Sequence, residues 1–210
     1  MEFDLLSRHA GEAYKLLTAV VVPRPIAWVA TSSNSGVLNA APFSFFNLLG
    51  SDPPVVALGI GDKSDGQPKD SRRNIEEIGE FVVNLVTHEA RQAMNRSAAE
   101  FPAEESEVAV IGLETRPSLK VRPPRLALSP VNLECVWRET VAIGHNRIIL
   151  GEVIHLHIDD AYFDVASGHV ATERLDLIAR MHGRGWYART TELFEMPRLT
   201  GPAARLKPAD

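Results

Sequence analysis

Two stretches of this 210-residue chain place polar side chains at spacings that can build a site. In "KDSRRN", Lys69 to Asn74, a lysine and the Ser71 hydroxyl stand at the start of an expected helix that follows a Gly/Pro loop. Unpaired N–H groups and the positive end of the helix dipole gather there, which suits an anion such as a phosphate. The alternative is an ordinary solvated helix start, with Asp70 or Ser71 as its N-cap. The second stretch pairs "RPIAWVATS", Arg24 to Ser32, with "NAAPFS", Asn39 to Ser44, across a hairpin. Thr31, Ser32, Asn39 and Ser44 interrupt otherwise apolar strands, and burying such groups without partners costs about 1–3 kcal/mol each. Small Ala40 and Ala41 would let a flat ring approach the backbone while the polar groups bond its edge. On composition alone, a packed barrel whose hydroxyls and amides bond locally is the better reading.

The elements that must hold these residues are mostly strands. "SSNSG", Ser32 to Gly36, has the turn chemistry of a hairpin. The run Asn39 to Ile60 reads as a pair of strands split by Pro53 and Pro54, the second strand being "PPVVALGIG". "FVVNLVT", "VNLECVWRETVAIG" and "RIILGEVIHLHID" read as further strands. Helices are expected at Leu5–Leu17, from Asp70 with Ile75 and Ile78 on one face, over "HEARQAMNRSAAEF", and over "ERLDLIARMHG". Closely spaced strands with few helices predict a mainly β, β-dominated α+β fold: an antiparallel barrel with peripheral helices. The length favours one domain over residues 1–210, with a core at about 12–190 and a loose tail at 191–210.

Composition narrows the function classes. Apolar residues make up 45% and charged residues 23%, as in ordinary globular proteins. A formal net charge of −5 without a Lys/Arg block argues against nucleic acid as a partner. No run of about 18 apolar residues suggests a membrane span, and one cysteine, Cys135, fits a reducing, cytoplasmic setting. Cys135 reads as a small buried hydrophobe. His155 and His157 share a strand face, but no companion carboxylate or third histidine is evident and no metal site is expected. Phe43, Phe45, Phe46, Trp137 and Trp186 read as core or subunit interface.

Taken in order, "PRPIAWVATS…NAAPFSFFN…DPPVV…KDSRRNI…EFVVNLV…GHNRIILGEV…IARMHGRGWY" resembles the flavin reductase-like family of FMN-binding split barrels over roughly residues 12–190. The resemblance implies an antiparallel Greek-key split barrel, a homodimer, and FMN at or near the subunit interface. It implies that Thr31, Ser32 and Asn39 contact the flavin or its ribityl chain, with Ala41 and Ser44 near the ring. Lys69, Ser71 and Asn74 would hold the phosphate, with Asp70 as helix cap; position 71 is Ser where the family usually has Thr. Arg24 would reach flavin or phosphate, His145 would stand near a nicotinamide, and Arg180, Gly183 and Tyr187 would close over the flavin. The implied activity is hydride transfer from NADH or NADPH, as transient co-substrate, to FMN, with free flavin, oxygen or a partner monooxygenase downstream. An FMN-dependent oxygenase or electron carrier, or a non-catalytic FMN-binding barrel, are the alternatives. The chain has no Gly-x-Gly-x-x-Gly after a strand, so a nicotinamide would bind on the flavin itself.

Overall fold

The computed structural model describes residues 1–197. Its largest feature is a seven-stranded antiparallel sheet built from β1 (Ala27–Ser32), β2 (Leu38–Phe43), β3 (Phe46–Ser51), β4 (Pro54–Gly59), β5 (Glu80–Leu85), β6 (Val131–Ile143) and β7 (Asn146–Ile158). The strand order is β2-β1-β5-β6-β7-β4-β3. The edge strands β2 and β3 are consecutive in the chain, joined only by Ser44 and Phe45, so the sheet curls until its edges meet: a barrel split along that seam. The run expected as two strands therefore holds three. The reversal at Ser44–Phe45 is pinned by the Gly59 N–H, which donates to the Phe45 carbonyl at 2.7 Å. A Cβ at Gly59 would lie 2.9 Å from that of Phe45, so the approach requires glycine.

Every residue of β1 is buried, because both faces of the sheet are covered. Val29, Leu58, Ile75, Phe81 and Ile149 fill the barrel interior. Trp28, Ala30, Val82, Met94 and Val108 pack on the outer face beneath two short helices, α3 (Arg91–Arg96) and α4 (Glu107–Ile111). α2 (Asp70–Ile78) brings Ile75 into the interior cluster, which sets its first turn against β1 and β2. Inside the barrel, Gly151 makes room for a core ring: a Cβ there would meet Phe81 Cζ at 2.3 Å.

Several expectations change. The first helix, α1, runs Ala13–Val20, later than expected, and α3 is much shorter than its sequence pattern. "ERLDLIARMHG" is not a helix: a 3-10 turn at Thr172–Arg174 ends at Asp176, whose φ is +48°, and β8 (Ile178–Arg180) follows. β8 pairs with Arg24–Pro25 on one side and with β9 (Tyr187–Arg189) on the other, so tertiary pairing overrides a helical spacing of apolar residues. His157 does have a carboxylate neighbour: Glu134 of β6 approaches Nε2 at 2.5 Å and also accepts the N–H groups of Leu119, Lys120 and Val121. A carboxylate on the adjacent strand is invisible to sequence spacing. Cys135 is fully buried, and desolvation pushes its thiol pKa strongly upward. Among the described residues no helix is long and apolar enough to cross a membrane. Of the expected tail, residues 198–210 lie outside the described residues.

Candidate functional site

The stretch expected to bind an anion is a helix start without a side-chain cap. Lys69 is the N-cap, in extended conformation, and no side chain accepts from the first-turn N–H groups. Asp70 is not the cap: its carboxylate bridges Lys63 at 2.8 Å and Arg73 at 2.7 Å. Burial pushes its pKa up, but these two cations more than offset that and hold it below the ordinary carboxylate range. The first-turn donors and the helix dipole are thus left to a ligand or to water. Lys69 itself is exposed, its ammonium 5.9 Å from the centre of the Phe43 ring.

Behind that turn lies a buried polar network. Thr31, Asn39, Ser71 and Asn74 are each at most 6% exposed. The Ser71 hydroxyl donates to Asn39 Oδ1 at 2.8 Å, and Thr31 Oγ1 donates to the same oxygen at 3.3 Å. Asn74 Nδ2 donates to Thr31 Oγ1 at 3.1 Å. Asn39 Nδ2 donates to Oε1 of Glu107, at 2.5 Å. The polar groups in the apolar strands therefore find much of their hydrogen bonding in one another, across β1, β2, α2 and α4. Two buried acceptors remain without partners, Asn74 Oδ1 and Glu107 Oε2.

Glu107 is the member of this site that the sequence did not reveal. It sits in the first turn of a five-residue helix that has no amphipathic signature, and its burial exists only because α4 packs on β2. Ser106 fixes that helix start, accepting from the Ala109 N–H at 3.3 Å and donating to the Leu38 carbonyl at 2.7 Å. Desolvation raises the Glu107 pKa above the ordinary carboxylate range, and its own N–H, the hydrogen bond from Asn39 and the nearby Ala40 N–H only partly oppose it.

A cleft of about 210 Å³ opens on this corner, lined by Asn39, Ala41, Lys69, Ser71 and Glu107. Ala41 faces the cleft, whereas Ala40 points to the other side of β2 and is packed in the outer core. Ser32 ends β1, buried and outside the network. Arg24 and Ser44 line a different cleft of about 590 Å³, beside Phe45, Ile60 and Arg147. The Arg24 guanidinium is buried and donates to the carbonyls of Thr18 (2.8 Å), Val21 (2.7 Å) and Met181 (3.1 Å), clasping the end of α1 to the segment after β8. Arg180 stacks on Tyr187, 4.8 Å from the ring centre, and donates to the Gly183 carbonyl at 2.9 Å; Tyr187 lines a third cleft of about 690 Å³. His145 is exposed in the turn between β6 and β7. The structure thus gathers Thr31, Asn39, Ala41, Lys69, Ser71 and Asn74 at one corner, while Arg24 and Ser44 line a second cleft bordered by the turn that carries His145, and Arg180, the strand partner of Arg24, stacks on Tyr187 of the third.

Comparisons with known proteins bear on the fold as a whole. The family model for the flavin reductase like domain matches residues 19–169. An uncharacterized protein of Deinococcus radiodurans is 50% identical over 203 residues, covering 94% of this chain and 89% of that protein. The crystal structure of nitrilotriacetate monooxygenase component B from Bacillus cereus superposes with a TM-score of 0.87 at 31% identity, covering 93% of this chain and 98% of that one. That of the Pseudomonas fluorescens 2-nitrobenzoate 2-nitroreductase gives 0.84 at 28% identity, covering 100% of both chains.

Proposed function

The chain belongs to the flavin reductase-like domain family, and on that premise we propose that it is an FMN-binding oxidoreductase acting as an NAD(P)H-dependent flavin reductase. The observation that carries the reading is the uncapped start of α2, opening with Lys69 and Ser71 onto a cleft floored by Ala41. First-turn N–H groups, a lysine and a hydroxyl are donors that fit a phosphate monoester, each charge-assisted bond being worth about 1.5–3 kcal/mol. The cleft has room for a phosphate and the start of a ribityl chain. In this reading Lys69 and the first-turn N–H groups hold the phosphate, Ser71 joins them when its hydroxyl turns from Asn39 Oδ1 toward the ligand, and Thr31, steadied by Asn74, keeps Asn39 in place. Ala41 leaves space for the flavin, and the chain then leads through Phe43 to Ser44 and the neighbouring cleft. When bound, FMN supplies the two-electron chemistry, taking hydride from NADH or NADPH and passing electrons to an acceptor. The protein's work is to hold and orient it; His145, Arg180 and Tyr187 are the candidates for contact with the nicotinamide and for closure over the ring.

A homodimer is part of the proposal. Tyr14, Leu17 and Val20 of α1, with Phe45, Leu48 and Leu49 around β3, leave apolar surface exposed, and the Tyr14 and Phe45 rings lie 6.3 Å apart. A run of exposed apolar side chains of this kind supports an interface with a second copy. The likeness to a monooxygenase component supports a partner monooxygenase as the consumer of reduced flavin.

The test is direct. Purified protein supplied with FMN should turn yellow, and NADH or NADPH should bleach it without a protein donor. Protein that stays colourless in excess FMN would overturn the assignment, and a colour that no nicotinamide bleaches would refute the reductase step. Sedimentation at a monomer's mass would refute the dimer.

A further inference from the structure

On the reading that FMN phosphate occupies the α2 cleft, we propose that Glu107 is a proton-linked positioning residue: it stands neutral in the loaded site, and FMN binding takes up one proton there. Nothing in the motifs of the chain points to this residue; the geometry does. Its carboxyl lines both the 210 Å³ cleft and a small space of about 10 Å³ shared with Asn39, Asn74, Asp70 and Arg73, a volume that holds at most one water. Oε1 accepts from Asn39, whereas Oε2 and the nearby Asn74 Oδ1 are both buried acceptors without a donor. A hydroxyl on Glu107 turns one of these two unpartnered acceptors into a donor, which a carboxylate cannot do. A carboxylate would instead leave a buried charge facing an incoming phosphate.

The surrounding charges agree. From α2 and its cap, Lys69, Asp70 and Arg73 face this corner; Lys63 comes from the preceding loop, and Glu100 and Glu105 from the segment before α4. Lys63 and Arg73 are already paired with Asp70, and Lys69 points out to solvent. No buried cation is left to compensate an ionised Glu107 among the described residues, and burial already favours its protonated form. Phosphate adds like charge and strengthens that preference. The neutral carboxyl keeps its carbonyl oxygen for the Asn39 amide, so Asn39 stays fixed behind the first turn of α2, its Oδ1 held by Thr31 whether or not the Ser71 hydroxyl turns to the phosphate.

The experiment compares wild type with Glu107→Gln, which keeps a carbonyl acceptor and a fixed donor but carries no proton equilibrium. FMN affinity is measured by fluorescence quenching from pH 5.5 to 8.5, with riboflavin as the phosphate-free probe. The phosphate's own titration is common to both proteins and cancels in their ratio. Wild-type FMN affinity should fall relative to Glu107→Gln as pH rises, by up to about tenfold per pH unit past the Glu107 titration. Riboflavin should show a much weaker change. A ratio constant across pH overturns the proposal, as does calorimetry in buffers of different ionisation enthalpy that finds no proton uptake by wild type. The stability of the unliganded proteins provides a separate arm. A group whose folded pKa is raised loses its stabilising contribution as pH rises, so wild type should weaken relative to Glu107→Gln across that range. If folded wild type shows this weakening yet binds no FMN, the functional reading and the coupling fall while the neutral carboxyl stands; if it binds FMN without either pH effect, only the role of Glu107 falls.

Discussion

Asn39→Asp is the sharpest probe of the buried network, because it changes one hydrogen-bonding group without changing shape. Asn39 Nδ2 donates to Glu107 Oε1 at 2.5 Å, and both residues are at least nine-tenths buried. Aspartate replaces that donor by an acceptor, so two carboxyls face each other where burial disfavours even one charge. At pH 8 the loss combines a charge-assisted bond with a desolvated repulsion, about 3 kcal/mol in all. At pH 5 one shared proton restores an O–H···O bond, and the loss should shrink to about 1 kcal/mol. The sign follows from linkage: the folded pair holds a proton that the unfolded chain has released, so stability declines as pH rises, by up to about 1.4 kcal/mol per unit. Urea titrations of both proteins at pH 5, 6.5 and 8 measure it. A loss equal at all three values would refute the reasoning, since it would mean that the Asn39 amide does not donate to Glu107.

Three further outcomes are expected. Lys69→Ala should weaken FMN binding about 10- to 100-fold, one lost charge-assisted contact, while leaving the melting temperature within a degree or so; unchanged affinity would count against the phosphate placement. Gly151→Ala should destabilise by about 1–3 kcal/mol, because the added methyl lands 2.3 Å from Phe81 Cζ. Adding Phe81→Leu should recover part of that loss in a thermal melt, and an undiminished melting temperature in the single variant would contradict the packing. Glu134→Gln should lose about 2 kcal/mol at pH 7, since Glu134 gathers three backbone N–H groups and His157. Burial pushes the Glu134 pKa up, but those hydrogen bonds bring it below the ordinary range. Its contribution is therefore present above the unfolded carboxylate pKa and lost as pH falls, so the gap between wild type and Glu134→Gln should narrow toward pH 4; a gap that widens would refute the sign.

Much of the barrel was legible because strand signals are local. Apolar runs, a Ser/Asn/Gly turn and a proline-bounded Val-rich segment name β1, β2, β4, β5, β6 and β7 with no knowledge of their partners. The start of α2 was legible to within a residue or two for the same reason, although the cap fell on Lys69 because Lys63 and Arg73 draw the Asp70 side chain away. β8 was missed because an apolar spacing suited to a helix face yields to pairing with Arg24–Pro25, a partner more than 150 positions away in sequence.

The sequence by itself determined which residues could bind an anion and which strands could carry them, since helix starts, turns and alternation depend on near neighbours. Only the tertiary structure decided what the polar atoms do. Asn39 and Ser71, 32 residues apart, bond each other because α2 plugs the barrel end. Glu107 joins them because a helix with no periodic signal is pressed onto β2. Arg24 clasps backbone carbonyls because the end of α1 and the turn after β8 converge on it. Burial and hydrogen-bond partnership belong to the packed chain, and they convert a list of candidate ligands into one corner with a defined proton to account for.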